Sequence, residues 1–252
     1  MKTFLLHFLI LIFSLVLLTG CKIDGEEEIT INSDGSGDIR VHFILPYKAF
    51  SRKDAVEVNS LLGEIAARHR GISIIENNSC AHGNYCQALK LHIRFDSAFD
   101  LERIVLSEQA YFDDQDDSSE ANEESLEMIC ALLGNIDAGI NVGGIDYHRE
   151  LDLSPLFKGK IKNGAILGDA EFRYILNTPM APDSHNADTF DSSSSSLVWT
   201  IPLKTYFNNP FTLQASYAGS EFCFIWAISL LLGIAVLAWF YVRFRRRGKT
   251  HR

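Results

Sequence analysis

Along much of the chain apolar and polar positions alternate, and where the alternation stops the apolar residues recur at helical spacing. Ile29 and Ile31 alternate with polar neighbours, Asp34-Gly35-Ser36-Gly37 carries turn chemistry, and Ile39, Val41, Phe43 and Leu45 alternate again, which predicts a hairpin. Ser51 then precedes Val58, Leu61, Leu62 and Ile65 on one helical face, predicting an amphipathic helix over 52–69. Strands follow at 72–76 and 89–95, the second with Leu89, Leu91, Ile93 and Phe95 on one side. Further helices are predicted over 98–109 and 123–133. After them the period is mostly two: Ile145, Tyr147, Arg149, Leu151 and Leu153 share a parity, then Phe172, Tyr174 and Leu176, then Leu197, Trp199, Ile201 and Leu203, then Phe211, Leu213, Ala215 and Tyr217. Alternation of this kind belongs to sheets buried on one face, and those are mostly antiparallel. The predicted class is therefore α+β, with antiparallel sheets and about three helices. A subdomain join, if the domain divides, falls at 134–144, and 183–196 reads as a loop.

Both ends break the pattern. From Phe4 to Leu18, 13 of 15 residues are apolar, and from Phe222 to Val242, 19 of 21 are. The first run, behind Lys2, is the length of a secretory signal and too short for a membrane span. It ends in Leu18-Thr19-Gly20-Cys21, which resembles a bacterial lipobox; the resemblance implies a signal peptide over 1–20, diacylation of Cys21, with palmitate, as the first mature residue, and a short tether over 21–26, the alternative being an uncleaved signal anchor with Cys21 as an ordinary thiol. The second run has the length of one membrane crossing, with aromatic residues at both margins, and Arg243, Arg245, Arg246, Arg247, Lys249 and Arg252 follow it. This predicts one C-terminal transmembrane helix over 222–242 and a cytoplasmic basic tail over 243–252, leaving 27–218 as an extracytoplasmic domain at the cytoplasmic (inner) membrane.

Charge sharpens this division. The whole chain has a formal charge of −9, but Lys22 to Glu221 holds all 32 acidic residues against 16 basic ones, a formal −16. A nucleic-acid partner, which needs clustered cations, is excluded as the general reading. Within the domain, Arg40 and His42 point away from the apolar face of one strand, and Lys90, His92 and Arg94 point away from that of another. If those strands are neighbours, five basic or titratable groups share one sheet face, suited to anionic headgroups or phosphates. The alternative is an ordinary solvated face paired with carboxylates.

Other candidate chemistry is weaker. Cys80 and Cys86 flank a short connection between two strands, and in an oxidising compartment they are expected to form a disulfide. Read as metal ligands, Cys80, His82 and Cys86 lack a fourth. Cys130 falls on an apolar helix face. Eight acids between Asp113 and Glu127 suggest either a calcium loop or a solvated helix start, and Ser118 stands where an EF-hand needs glycine. No G-x-S-x-G, H-E-x-x-H, Walker or dinucleotide motif is present, so neither an enzyme nor a cofactor is expected.

Beyond the lipobox, Ser33-Asp34-Gly35-Ser36-Gly37, Asn177-Thr178-Pro179, His185-Asn186-Ala187, Leu197-Val198-Trp199-Thr200 and the closing apolar run with its arginines resemble the LppM-type domain of bacterial lipoproteins. The resemblance implies an envelope role, with glycolipid binding proposed for some members and no catalytic residues to carry over; the acidic run 113–127 departs from the pattern. The reading that follows is non-enzymatic recognition of lipid or glycolipid by a membrane-anchored lipoprotein. An accessory subunit docking on a membrane protein complex is the alternative, and an envelope hydrolase a distant one. Palmitate supplied to a bacterial host should label the wild-type chain and not Cys21→Ala; label persisting in that variant would exclude Cys21 as the acceptor.

Overall fold

The computed structural model describes residues 23–83, 85–98, 100, 120–141, 144–157, 161 and 167–218. Eleven strands and four helices are found among them. The strands are β1 (Asp24–Ile31), β2 (Gly37–Pro46), β3 (Ile72–His82), β4 (Cys86–Phe95), β5 (Asn135–Asn141), β6 (Gly144–Leu151), β7 (Glu171–Asn177), β8 (Ser184–His185), β9 (Thr189–Asp191), β10 (Ser196–Pro202) and β11 (Phe211–Ala218). The helices are α1 (Arg52–Arg68), α2 (Glu120–Leu133), α3 (Ser154–Phe157) and α4 (Leu203–Tyr206). Seven strands form one sheet in the order β3-β4-β2-β1-β7-β10-β9, and four form a second in the order β5-β6-β11-β8.

Local chemistry accounts for the main elements. The β1–β2 turn closes through Asn32 N–H donating to Ser36 O at 2.7 Å, while Asp34 Oδ1 accepts from the Ser36 backbone N–H and hydroxyl. Ser51 caps α1 in a capping box: Asp54 N–H donates to Ser51 Oγ at 3.2 Å and Ser51 N–H to Asp54 Oδ2 at 2.7 Å. Gly134 ends α2 at φ +66°, where its N–H reaches Cys130 O at 2.7 Å and no side chain is strained. The inward face of the large sheet carries Ile39, Val41, Phe43, Leu89, Leu91, Ile93, Tyr174, Leu176, Leu197 and Trp199, all buried. Gly25 sits in that face between Phe43 and Phe172, and its missing side chain lets the two rings stack at 4.6 Å across the intervening strand. Helix α1 packs against β3 and α2, and α2 against α3 and β6, so one continuous core joins both sheets.

A buried ion pair crosses between the sheets. Arg149 of β6 donates from Nη1 to Glu27 Oε1 at 2.5 Å and from Nη2 to Glu27 Oε2 at 3.0 Å, with side chains 1% and 0% exposed. The same Nη2 reaches Leu132 O of α2 at 3.3 Å, and the guanidinium lies 5.5 Å from the centre of the Tyr174 ring. Burial alone would lower the guanidinium, but the charge and hydrogen bonds of Glu27 reverse this and hold it protonated. Burial pushes the Tyr147 phenol up to about 12. Asn186 joins the sheets a second time: its Oδ1 accepts Trp199 Nε1–H at 2.7 Å and Gln214 N–H at 2.8 Å, and its Nδ2 donates to Thr212 O.

Two expectations of class are corrected. The seven-stranded sheet is mixed, because β1 pairs parallel with β7 in its middle, Gly25 opposite Phe172 through Thr30 opposite Asn177. Alternation reports one-sided burial and is blind to strand direction when the partner lies about 150 residues away in the chain. There are four helices among the described residues, two of them single turns too short to show a period. Among the described residues no helix is long and apolar enough to cross a membrane; the expected span over 222–242, the signal 1–20, Cys21, the basic tail and most of the expected 98–109 helix lie outside them. The 134–144 segment contains β5 and its turn toward β6, and 183–196 contains the short β8 and β9.

Truncating one member of the buried pair leaves a charge without compensation, so Arg149→Met should cost about 3–5 kcal/mol in urea unfolding, and Glu27→Leu added to it should return most of that loss. A single-variant cost below about 1 kcal/mol would show that the pair does not secure the junction.

Candidate functional site

The outward positions of the large sheet are set by the same parity that buries its apolar residues. Strand β2 places Arg40 and His42 outward, and β4 places Lys90, His92 and Arg94 outward. The two strands are hydrogen-bonded neighbours, with Arg40 opposite His92, His42 opposite Lys90, and Asp38 opposite Arg94. All five basic or titratable residues singled out from the sequence therefore lie on one face.

Register extends this into three cross-strand rows about 4.8 Å apart from residue to residue. One row runs Asn78, Lys90, His42, Glu26, Arg173, Thr200. The next runs Glu76, His92, Arg40, Glu28, Ile175, Val198, and the third Ser73, Arg94, Asp38, Thr30, Asn177, Ser196. Charge is arranged by strand: β4 is a basic ridge, β1 an acidic one, and β2 between them is mixed.

Ion pairing divides the five residues. Asp38 Oδ1 accepts from Arg40 Nη2 at 3.0 Å and lies 3.1 Å from His92 Nε2, and Arg40 also approaches Glu28 at 3.6 Å. Arg173 is held by Glu26 at 2.8 Å. No carboxylate among the described residues is within pairing distance of Lys90, Arg94 or His42, and all three are exposed. The pairs of the exposed Arg40 contribute about 0–1 kcal/mol each, so Arg40 is only lightly held, while His92 and Asp38, each 20% exposed, form a half-buried contact. Lys90, Arg94 and His42 are thus the basic or titratable groups of the face with no ion-pair partner among the described residues. The arrangement can bind anions by charge and hydrogen bonding, with arginine supplying a planar donor fork.

Sequence reading missed the acids of this face. Glu26 and Glu28 flank Glu27 in β1, so their outward parity was implied by Ile29 facing inward and their place beside β2 by the hairpin, but the neighbour relation to Arg173 needed the sheet order.

The cysteine expectation is corrected. Cys80 is a free, exposed thiol. In the β3–β4 hairpin it stands opposite Ala88, while Cys86 stands opposite His82, is buried and is disulfide-bonded to a partner other than Cys80. That offset makes Cys80 and Cys86 a diagonal pair, at about 7–8 Å, beyond ordinary disulfide reach. Cys130 is free and partly buried, and burial pushes its thiol up. Residues 113–119 of the acidic run lie outside the described residues.

No family model matches the chain, and no curated protein matches it. Among solved structures, the chain is similar to the folded domain of the LppM protein of Mycobacterium tuberculosis, determined by NMR, with 13% identity and a TM-score of 0.43 over 79% of this chain and 92% of that one.

Proposed function

We propose that this chain is an extracytoplasmic lipoprotein, attached to the membrane through an acyl group at Cys21, whose large sheet recognises anionic lipid or glycolipid headgroups without catalysis. The observation that carries the reading is the basic ridge of Lys90, His92 and Arg94 beside His42 and Arg40, exposed on one face of a segment with a formal charge of −16. Here Lys90 and Arg94 remain unpaired among the described residues and about 13 Å apart along one strand, open to phosphate or carboxylate groups. Attachment at the membrane would raise the effective concentration of such groups around the face.

Gentle extraction of the full chain from a bacterial host, followed by mass spectrometry of co-purifying lipids, tests the reading. Lys90→Glu with Arg94→Glu should lower anionic lipid recovery at least tenfold and leave the melting temperature within a degree or two. An unchanged lipid complement in the double variant would refute it, and a membrane protein lost in place of lipid would favour docking on a complex.

A further inference from the structure

The place where the described chain begins determines which end of the sheet a lipid at Cys21 would hold. Ile23 is buried and β1 starts at Asp24, paired with Ile44. Only two residue steps separate Ile23 from Cys21, a reach of at most about 7 Å. Register shows what shares that end: the C-terminal end of β2 with the turn at Tyr47 and Lys48, the β3–β4 turn with His82 and Tyr85, the start of β7 and the end of β10. Tyr47 N–H donates to Tyr85 O at 2.9 Å, so the first two turns make a single corner. Tyr85 is 64% exposed, Lys48 and His82 are exposed, and Tyr47 is half-buried. Tyrosine suits the boundary between headgroups and acyl chains, and lysine suits anionic lipid. The acids of this end, Asp24, Asp169 and Glu171, lie toward β1 and β7, with Lys204 after β10. The opposite end carries the Asn32–Ser36 turn and the Asp191–Ser195 turn, made of Asn, Asp, Ser and Gly.

The geometry points to the corner formed by Tyr47, Lys48, His82 and Tyr85 as the surface on which the lipidated domain seats against an anionic bilayer, with the strands of the large sheet upright. This rests on the lipid at Cys21 proposed above. An acyl group two residues before the buried Ile23 would bring this end of the large sheet nearest the bilayer, and that end presents the aromatic and basic side chains that an interface holds.

A photo-crosslinking amino acid, benzoylphenylalanine, placed at Tyr85 or at Ser33 of the full chain separates the two ideas. Each variant is purified, checked by mass for its acyl group, and returned to vesicles of phosphatidylethanolamine and phosphatidylglycerol. The expected result is lipid adduct at position 85, at least fivefold above position 33, and a several-fold loss of that adduct in Lys48→Glu. Equal adduct at both positions, or none at 85 in acylated protein, would overturn the seating surface alone. Absence of the acyl group from the wild-type chain would overturn the lipoprotein reading and the seating with it.

Discussion

The junction between the two sheets depends on one buried pair. Glu27 sits in the middle of an apolar sheet face, where a lone carboxylate would be costly to ionise, and Arg149 comes from the other sheet to meet it with both Nη atoms. The third bond, from Arg149 to Leu132 O, extends the link to the end of α2. Three layers are thus fixed in register by one guanidinium. An apolar contact of equal area would tolerate sliding, whereas a two-pronged ion pair has a single geometry. The stacking of Phe43 and Phe172 over Gly25 lies one strand position pair away and depends on the same alignment of β1 with β7.

Much of this fold was legible because period and burial coincide. The hairpin of β1 and β2, the capped α1, and strands β4, β6, β7, β10 and β11 were all visible as apolar residues on one parity or one helical stripe. The buried pair was half visible: Arg149 falls on the parity of Tyr147 and Leu151, whereas Glu27, although on the parity of Ile29, was not singled out. What the pattern does not encode is which strands meet. The parallel pairing of β1 with β7 joins residues about 150 positions apart, and nothing local announces it. The β3–β4 register was also beyond reach, because a shift of two residues decides whether Cys80 faces Cys86 or Ala88.

The basic face was predicted on condition that β2 and β4 be neighbours, and they are. The sheet order then places the acidic β1 beyond the mixed β2, two strands away from the basic β4. Asp38 restrains Arg40 and His92, and Glu26 restrains Arg173, so the face as a whole is far from uniformly positive. Its asymmetry lies across the strands, from the basic β4 to the acidic β1.

That asymmetry gains a second dimension from the direction of the strands. If the Tyr85 corner rests on headgroups as proposed, each residue along β4 adds about 3.3 Å of height, placing Lys90 roughly 13 Å and Arg94 roughly 26 Å above the level of Cys86. Both heights exceed the screening length of about 8 Å at physiological salt, so in that seating the ridge would meet headgroups that project upward from the plane of phosphates, and not the plane itself. The face looks sideways along the membrane, and what it can grip must project upward past the first rung. In that proposed seating the upright sheet would act as a gauge of stature, with tall anionic headgroups reaching the ridge and short ones staying below it.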